Sequence, residues 1–383
     1  MTHRELRGRV PGGTIAPRFG PEGSFVARRS WRNGGVIVVA ACLLAAREAP
    51  ADPPAASATC ACRAMPGFPS PDPAGCRDCL PPATLDRLWG TPDDPPAVSL
   101  DAIKDEHRDK HFLASDEANL HLFRDAIADA GGGFVGVGTD QAYLFIGWSR
   151  PQFAWLTDYD EWVYWVHVIS GVFFDASATP AEYVAKWSSR GRDDALKLLA
   201  ARFPDARERG MVERVYRAAR LQAARRLASV RAACRKAGVP TYLTDPAMYD
   251  HVRAMWRSGR IRPMVGNLLG ERALRGIGEA AAAAGIPIRT IYLSNAEQYW
   301  DYPPSFRANM RALNLDGRSR VLRTLASKPQ NGDYRYVVQP GDLFVLWLDQ
   351  PKVRAVRNIV PFIKVKDPEH IPYLYLDRRP RGL

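Results

Sequence analysis

Residues 134–158 read FVGVGTDQAYLFIGWSRPQFAWLTD, and the fold turns on how they are read. Phe134-Val135-Gly136-Val137-Gly138 is a short apolar run bounded by glycines, the pattern of a strand buried on both faces. Thr139, Asp140 and Gln141 open a short helical stretch through Trp148, which Arg150-Pro151 breaks. Phe153-Ala154-Trp155-Leu156-Thr157 is a second strand, ending at Asp158. A strand, a helix and a strand within under about 30 residues make a parallel crossover unit.

Upstream, Ser115 is placed to cap a helix whose Leu120, Phe123 and Ile127 share one face and which Gly131, Gly132 and Gly133 end. Downstream, residues 161–258 are helical in pattern, with Thr179-Pro180 and Asp245-Pro246 as helix starts. Residues 205–237 hold many arginines on one long amphipathic pattern, read as a solvated face rather than a binding patch. Strand patterns return at 261–265, 288–293 and 320–325, with an Ala-rich helix over 271–285. Residues 334–338 and 343–348 flank Gln339-Pro340-Gly341-Asp342, read as a hairpin turn. The expected fold is α/β: a mostly parallel sheet, a C-terminal antiparallel hairpin and a large helical insertion at about 161–258.

The chain has 383 residues, 46% of them hydrophobic, enough for a sizeable core. Its net charge of +12 permits nucleic acid or anionic lipid as a partner without demanding either. With no RNP-type aromatic motif, zinc-finger spacing or heptad run, nucleic acid is not an expected partner.

Residues 36–46 read VIVVAACLLAA, with Arg28, Arg29 and Arg32 upstream and Ala49-Pro50-Ala51 downstream. Basic segment, short apolar core and small-x-small site together read as a secretory signal over residues 1–51, and export to the periplasm or envelope follows as an expectation. The run falls short of the roughly 20 residues of a membrane span. Arg28-Arg29-Ser30-Trp31 resembles a twin-arginine signal, Val39-Ala40-Ala41-Cys42 a lipobox, and Val26 is a candidate initiator. Residues 52–100 read as a Pro-rich linker ahead of a main domain over 101–383. Cys60, Cys62, Cys76 and Cys79 in that linker suit cross-paired disulfides or a zinc site, disulfides being preferred in an exported chain. Cys234, on a helical pattern, reads as a buried inert thiol.

In an open parallel sheet, ligands bind beyond the carboxyl ends of the strands. Those ends present Gly136, Gly138, Thr139 and Asp140; Asp158, Tyr159 and Asp160; Gly266 and Asn267; and Ser294 and Asn295. Glycines allow a turn and close backbone approach to a ligand. Asp158 follows Gly138 by about 20 residues, the spacing at which an acid meets ribose hydroxyls. Asn267 suits an adenine edge, and Ser294, Asn295 and Glu297 suit a reacting group. Plainer readings stand beside these: a strand-end glycine as a turn, Asp158 as a helix cap, His167 as a packing histidine. Gly131-x-Gly133-x-x-Gly136 matches a dinucleotide fingerprint in letters but precedes its strand, so no NAD or FAD site is expected. No metal site is expected in the main domain.

The segments GGGFVGVGTDQAYLFIGWSRPQFAWLTDYD (131–160) and GNLLGERALRGIGEAAAAAGIPIRTIYLSNAEQYW (266–300) resemble a bacterial protein family similar in fold to S-adenosylmethionine-dependent methyltransferases. The resemblance spans about residues 107–350. It implies a Rossmann-like sheet of methyltransferase type with S-adenosylmethionine as cofactor. Gly136 and Gly138 would flank its methionine part and Asp158 its ribose. Asn267, where the family pattern has Asp, would sit on the adenine side, and Ser294 and Asn295 would match the motif after the fourth strand. Asn295, Glu297 and Tyr299 are the expected catalytic group, with Glu297 as general base. The other expectation is an exported envelope protein that binds a small molecule in the same crevice without catalysis. A hydrolase is not expected, since neither G-x-S-x-G nor H-E-x-x-H occurs.

Overall fold

In a computed structural model, residues 80–100, 108–326, 333–360 and 373–380 are described. The elements run α1 (Pro82–Trp89), α2 (Arg124–Ile127), β1 (Gly133–Gly136), α3 (Gln141–Ser149), β2 (Phe153–Asp158), α4 (Glu161–Asp175), α5 (Pro180–Trp187), α6 (Arg192–Arg202), α7 (Ala206–Lys236), α8 (Pro246–Arg257), β3 (Ile261–Val265), α9 (Ala273–Ala283), β4 (Ile288–Tyr292), α10 (Pro304–Ala312), β5 (Arg320–Ala326), β6 (Tyr334–Pro340), α11 (Gly341–Leu348) and β7 (Tyr373–Tyr375). The expected signal segment and the linker cysteines lie outside the described residues.

One seven-stranded sheet has the order β3-β2-β1-β4-β5-β6-β7. β3 through β5 are mutually parallel, β6 runs antiparallel to β5, and β7 is parallel to β6. The order reverses between β1 and β4, whose ends stay paired through Gly136 and Tyr292, so the connections that follow them leave toward opposite faces of the sheet, the place where such folds have a crevice. Side chains alternate between two cores, as a strand's period of two requires. Phe134, Leu156, Tyr292 and Leu322 face the layer of α3 to α8; Val135, Trp155, Ile291 and Val321 face α1, α9 and α11.

The helical insertion forms as its caps suggest. Asp160, Thr179, Asp205 and Asp245 each accept a first-turn backbone N–H of the helix they start. Within it Trp187, Tyr183, Tyr249 and Trp256 are fully buried, each contributing about 2–3 kcal/mol of apolar burial. On the other layer a Cβ on Gly278 would stand 2.0 Å from the Ala312 carbonyl oxygen, so only glycine permits the approach of α9 to α10.

Several expectations are corrected. Residues 343–348 are helix rather than strand: Leu343, Phe344 and Leu348 are buried on one side of α11, and a short apolar run does not reveal its period. The hairpin pair is therefore β5 with β6. The end of the supposed linker is packed structure, since α1 buries Leu85 and Leu88 in the sheet's second layer. Ser115 caps no helix; its hydroxyl donates to Glu117, and a 3-10 turn at Leu120–Phe123 leads into α2. Cys234 is buried, and burial pushes its thiol up to about 11, as an inert thiol requires.

Candidate functional site

The strand ends gather along one edge of the sheet. After β1 the chain turns at Gly138, whose φ of +85° lies in the left-handed region. Its N–H donates to Asp158 Oδ2 at 3.0 Å, while Asp158 Oδ1 accepts from the Asp160 N–H at 3.0 Å. One carboxylate thus ties the first strand's turn to the second strand's end. Burial pushes the Asp158 carboxyl up to about 6, against the pull of those N–H donors. The Asp160 carboxylate caps α4 at the Trp162 N–H, so the helix-cap reading belongs to it rather than to Asp158. Tyr159 is half-buried between them.

His167 is a packing histidine. Its Nε2 lies 2.8 Å from the Gly138 carbonyl, which only accepts, so Nε2 carries the proton and Nδ1 accepts from the Tyr143 hydroxyl at 2.9 Å. Burial pushes the imidazole down to about 4 and keeps it neutral. Gly136 is glycine for room: a Cβ there would meet the Phe134 ring at 2.5 Å.

Much of the edge is filled by the chain itself. The Gln141 side chain lies in the space beside Gly138, where a Cβ would meet its Nε2 at 2.1 Å, and Gln141 Oε1 accepts the Thr139 N–H. At the end of β3, Asp94 accepts the backbone N–H groups of Asn267, Arg272 and Ala273 and so caps α9. Asn267 Oδ1 closes its own turn on the Leu269 N–H, leaving the amide nitrogen as its free donor.

The expected catalytic trio divides. Asn295 and Tyr299 are neighbours, and Tyr299 is 39% exposed. Glu297 is fully buried: its carboxylate takes Arg323 Nε at 2.5 Å and the Tyr302 hydroxyl at 2.5 Å. Arg323 also donates to Gln339 at 2.8 Å and stacks over Phe344 at 4.7 Å. Arg323 and the next residue, Thr324, point to opposite faces of β5, so Glu297 lies in the layer opposite the β1 turn. It does not join Asn295 and Tyr299 as a base.

The carboxylate that does reach the crevice is one sequence reading missed. Glu117 Oε1 accepts from Tyr292 at 2.5 Å, Ser294 at 2.9 Å and Thr324 at 3.1 Å, and Oε2 accepts from Ser115. Ser294 makes its contact with φ at +51°, uncommon for a residue other than glycine. Burial raises the Glu117 carboxyl above its ordinary value, opposed by the Tyr292 hydroxyl and the Arg226 charge. Arg226, from α7, donates to Asp140 at 2.8 Å and to the Glu117 carbonyl at 2.6 Å. Asp140 also accepts the Ser115 N–H. Nothing in the local pattern marks Glu117 or Arg226; neither stands at a strand end.

Glu117 belongs to a strap, residues 108–119, laid along the whole edge. His111 stacks on Trp162 at 4.1 Å and bonds Asp160 beyond β2. Ser115 meets Asp140 beyond β1, Glu117 meets β4 and β5, and Asn119 reaches Tyr336 and Asp333 at β6. The strap covers these strand ends. Beneath the insertion, Thr139, Asp140, Tyr143, Ser170 and Trp187 line a cavity of about 10 Å³, room for about one water.

A domain of unknown function, DUF7790, matches residues 112–372. The chain belongs to this family. The DUF7790 span takes in most of the strap with Glu117, the insertion with Arg226, and strands β1 to β6, whereas α1 and Asp94 precede it. No curated protein matches the chain. Among the described residues of the DUF7790 chain no helix is long and apolar enough to cross a membrane, and no group of three or more His, Cys, Asp or Glu is set to hold a metal ion.

Proposed function

We propose that the DUF7790 domain is a Rossmann-like, methyltransferase-type module that binds S-adenosylmethionine along the edge between the β1 turn and Asp158. The observation that carries this reading is the Asp158 carboxylate at the end of β2, next to the strand-order reversal and joined to the Gly138 N–H. Its two oxygens accept the N–H groups of Gly138, Tyr159 and Asp160, and of about four lone-pair sites one remains for a ribose hydroxyl. The Asn267 amide nitrogen suits an acceptor on a purine edge. The Gln141 side chain is the group that yields when the methionine part approaches Gly138. When bound, the cofactor supplies an electrophilic methyl group; the protein's part is to orient the acceptor in line with it. Asn295 and Tyr299 serve that role at the rim beside Ser294, and Glu297 takes no part.

A second reading is an exported protein that binds a small molecule on the same fold without catalysis. Its support is that Gln141 and Asp94 fill two of the strand ends and that Glu297 is held by Arg323. Calorimetric titration of S-adenosylmethionine and S-adenosylhomocysteine into the full chain, beside Asp158→Ala, separates the two. Micromolar binding, about −8 kcal/mol, lost in the variant, is the outcome expected of the first reading. A folded chain that ignores millimolar ligand belongs to the second.

A further inference from the structure

Helix α7 spans 31 residues with ten basic and two acidic side chains, a net of +8 in a chain of net +12. Its inner side is spoken for: Val212, Val215, Ala219, Leu227 and Val230 are buried, and Arg226 turns in to Asp140. On the outer side Arg207, Arg214, Arg225 and Lys236 are exposed. At 100° per residue they fall within about 40° of one another, a row about 44 Å long. Arg217 and Arg235 flank it. Neutralisation is slight. Arg217 meets Glu213 at 3.5 Å, and no acid occurs from Arg214 to Lys236. Among the described residues no carboxylate stands within ion-pair distance of Arg214, Arg225 or Arg235.

We propose that this outer face of α7 docks the protein on an anionic lipid surface. The residues between the arginines are Ala218, Leu221, Gln222, Ala228, Ser229 and Ala232, all exposed. They keep the helix low, so that guanidinium groups reach phosphate oxygens in their two-pronged geometry. No aromatic side chain interrupts the row to stack on bases, as single-stranded nucleic acid would require. The convex outer face of a helix meets the curved backbone of a duplex over a short length, but can lie against a plane of acidic head groups along the row. The apolar side of α7 is already used inside the domain, so the helix lies on the surface without entering it. The attraction is electrostatic and screened by salt.

The test is co-sedimentation of the full chain with vesicles of phosphatidylcholine, alone or mixed with phosphatidylglycerol, at low and high salt. The wild type should bind only the acidic vesicles and release them at high salt. Arg214→Ala/Arg225→Ala/Arg235→Ala, unchanged in melting temperature, should lower partitioning roughly 100-fold, at about fivefold per arginine. The N-terminal arginines are common to both proteins, so the difference reports α7 alone. Equal binding to neutral vesicles, no binding to acidic ones at low salt, or an unaffected triple variant overturns the proposal. So does a chain that ignores vesicles yet binds duplex DNA through these arginines.

Discussion

Two buried glutamates, one on each face of the same sheet edge, are held in opposite ways. Glu297 faces a guanidinium and a phenol, sealed between β5 and α11. Glu117 faces hydroxyls, with Arg226 reaching its backbone carbonyl rather than its carboxylate. A guanidinium donates only and fixes its partner as a carboxylate. Hydroxyls donate or accept and tolerate either protonation state. The first arrangement is a rivet between strand and helix. The second holds a strap over the crevice and can accommodate a change of charge or partner.

The largest effect should come from breaking the rivet. Glu297→Ala leaves Arg323 charged and buried, and denaturant unfolding should show a loss of about 3–5 kcal/mol. The double variant Glu297→Leu/Arg323→Met should recover most of it, because the desolvated charges leave together. If the double variant is as unstable as the single, the pair is more than a rivet.

Next comes the strap. Glu117→Ala strands the Tyr292, Ser294 and Thr324 hydroxyls and should cost about 3 kcal/mol, whereas Glu117→Gln should cost under about 1 kcal/mol. The pH dependence has a definite sign. Folding raises the Glu117 pKa, so the folded state binds its proton more tightly than the unfolded chain. The stability this contributes is complete below the unfolded value and lost as pH rises through the folded one. Melting temperatures of wild type and Glu117→Gln should therefore diverge in the variant's favour as pH increases. A gap that stays constant with pH would place the proton elsewhere.

The proposed ribose contact ranks third. Asp158→Ala should weaken nucleoside binding roughly 10- to 100-fold, the worth of a hydrogen bond to a charged acceptor. Since the Asp158 carboxyl sits at about 6, wild-type affinity should decline as pH falls from neutral through that value, and the variant's should not. Calorimetry at several pH values reads both. The smallest effect is Asp94→Ala, which uncaps α9 at about 1 kcal/mol. Should it also sharpen ligand affinity, Asp94 competes for the adenine side of the edge.

Much of the fold was legible in residues 134–158 and in the returning strand patterns. β1, α3, β2 and β3 stand where apolar runs and breakers put them, and α5 and α8 start at the Thr179 and Asp245 caps read from the sequence, whereas α6 starts at Gly191 with no side-chain cap. Local sequence decides these features, because a cap, a proline or a period acts within one or two turns of chain. The strand ends were legible too, and Gly138 and Asp158 both stand there, though the hydrogen bond that joins them was not read from the sequence.

What sequence could not carry is who faces whom. Glu297 stands two residues from Asn295 yet lies in the opposite layer, while Glu117 arrives at Tyr292 from 175 positions away. Gln141 and Asp94 fill the spaces that an alignment of strand ends leaves empty. Those outcomes depend on side-chain direction and on which distant segment covers an edge, and only the packed structure decides either one.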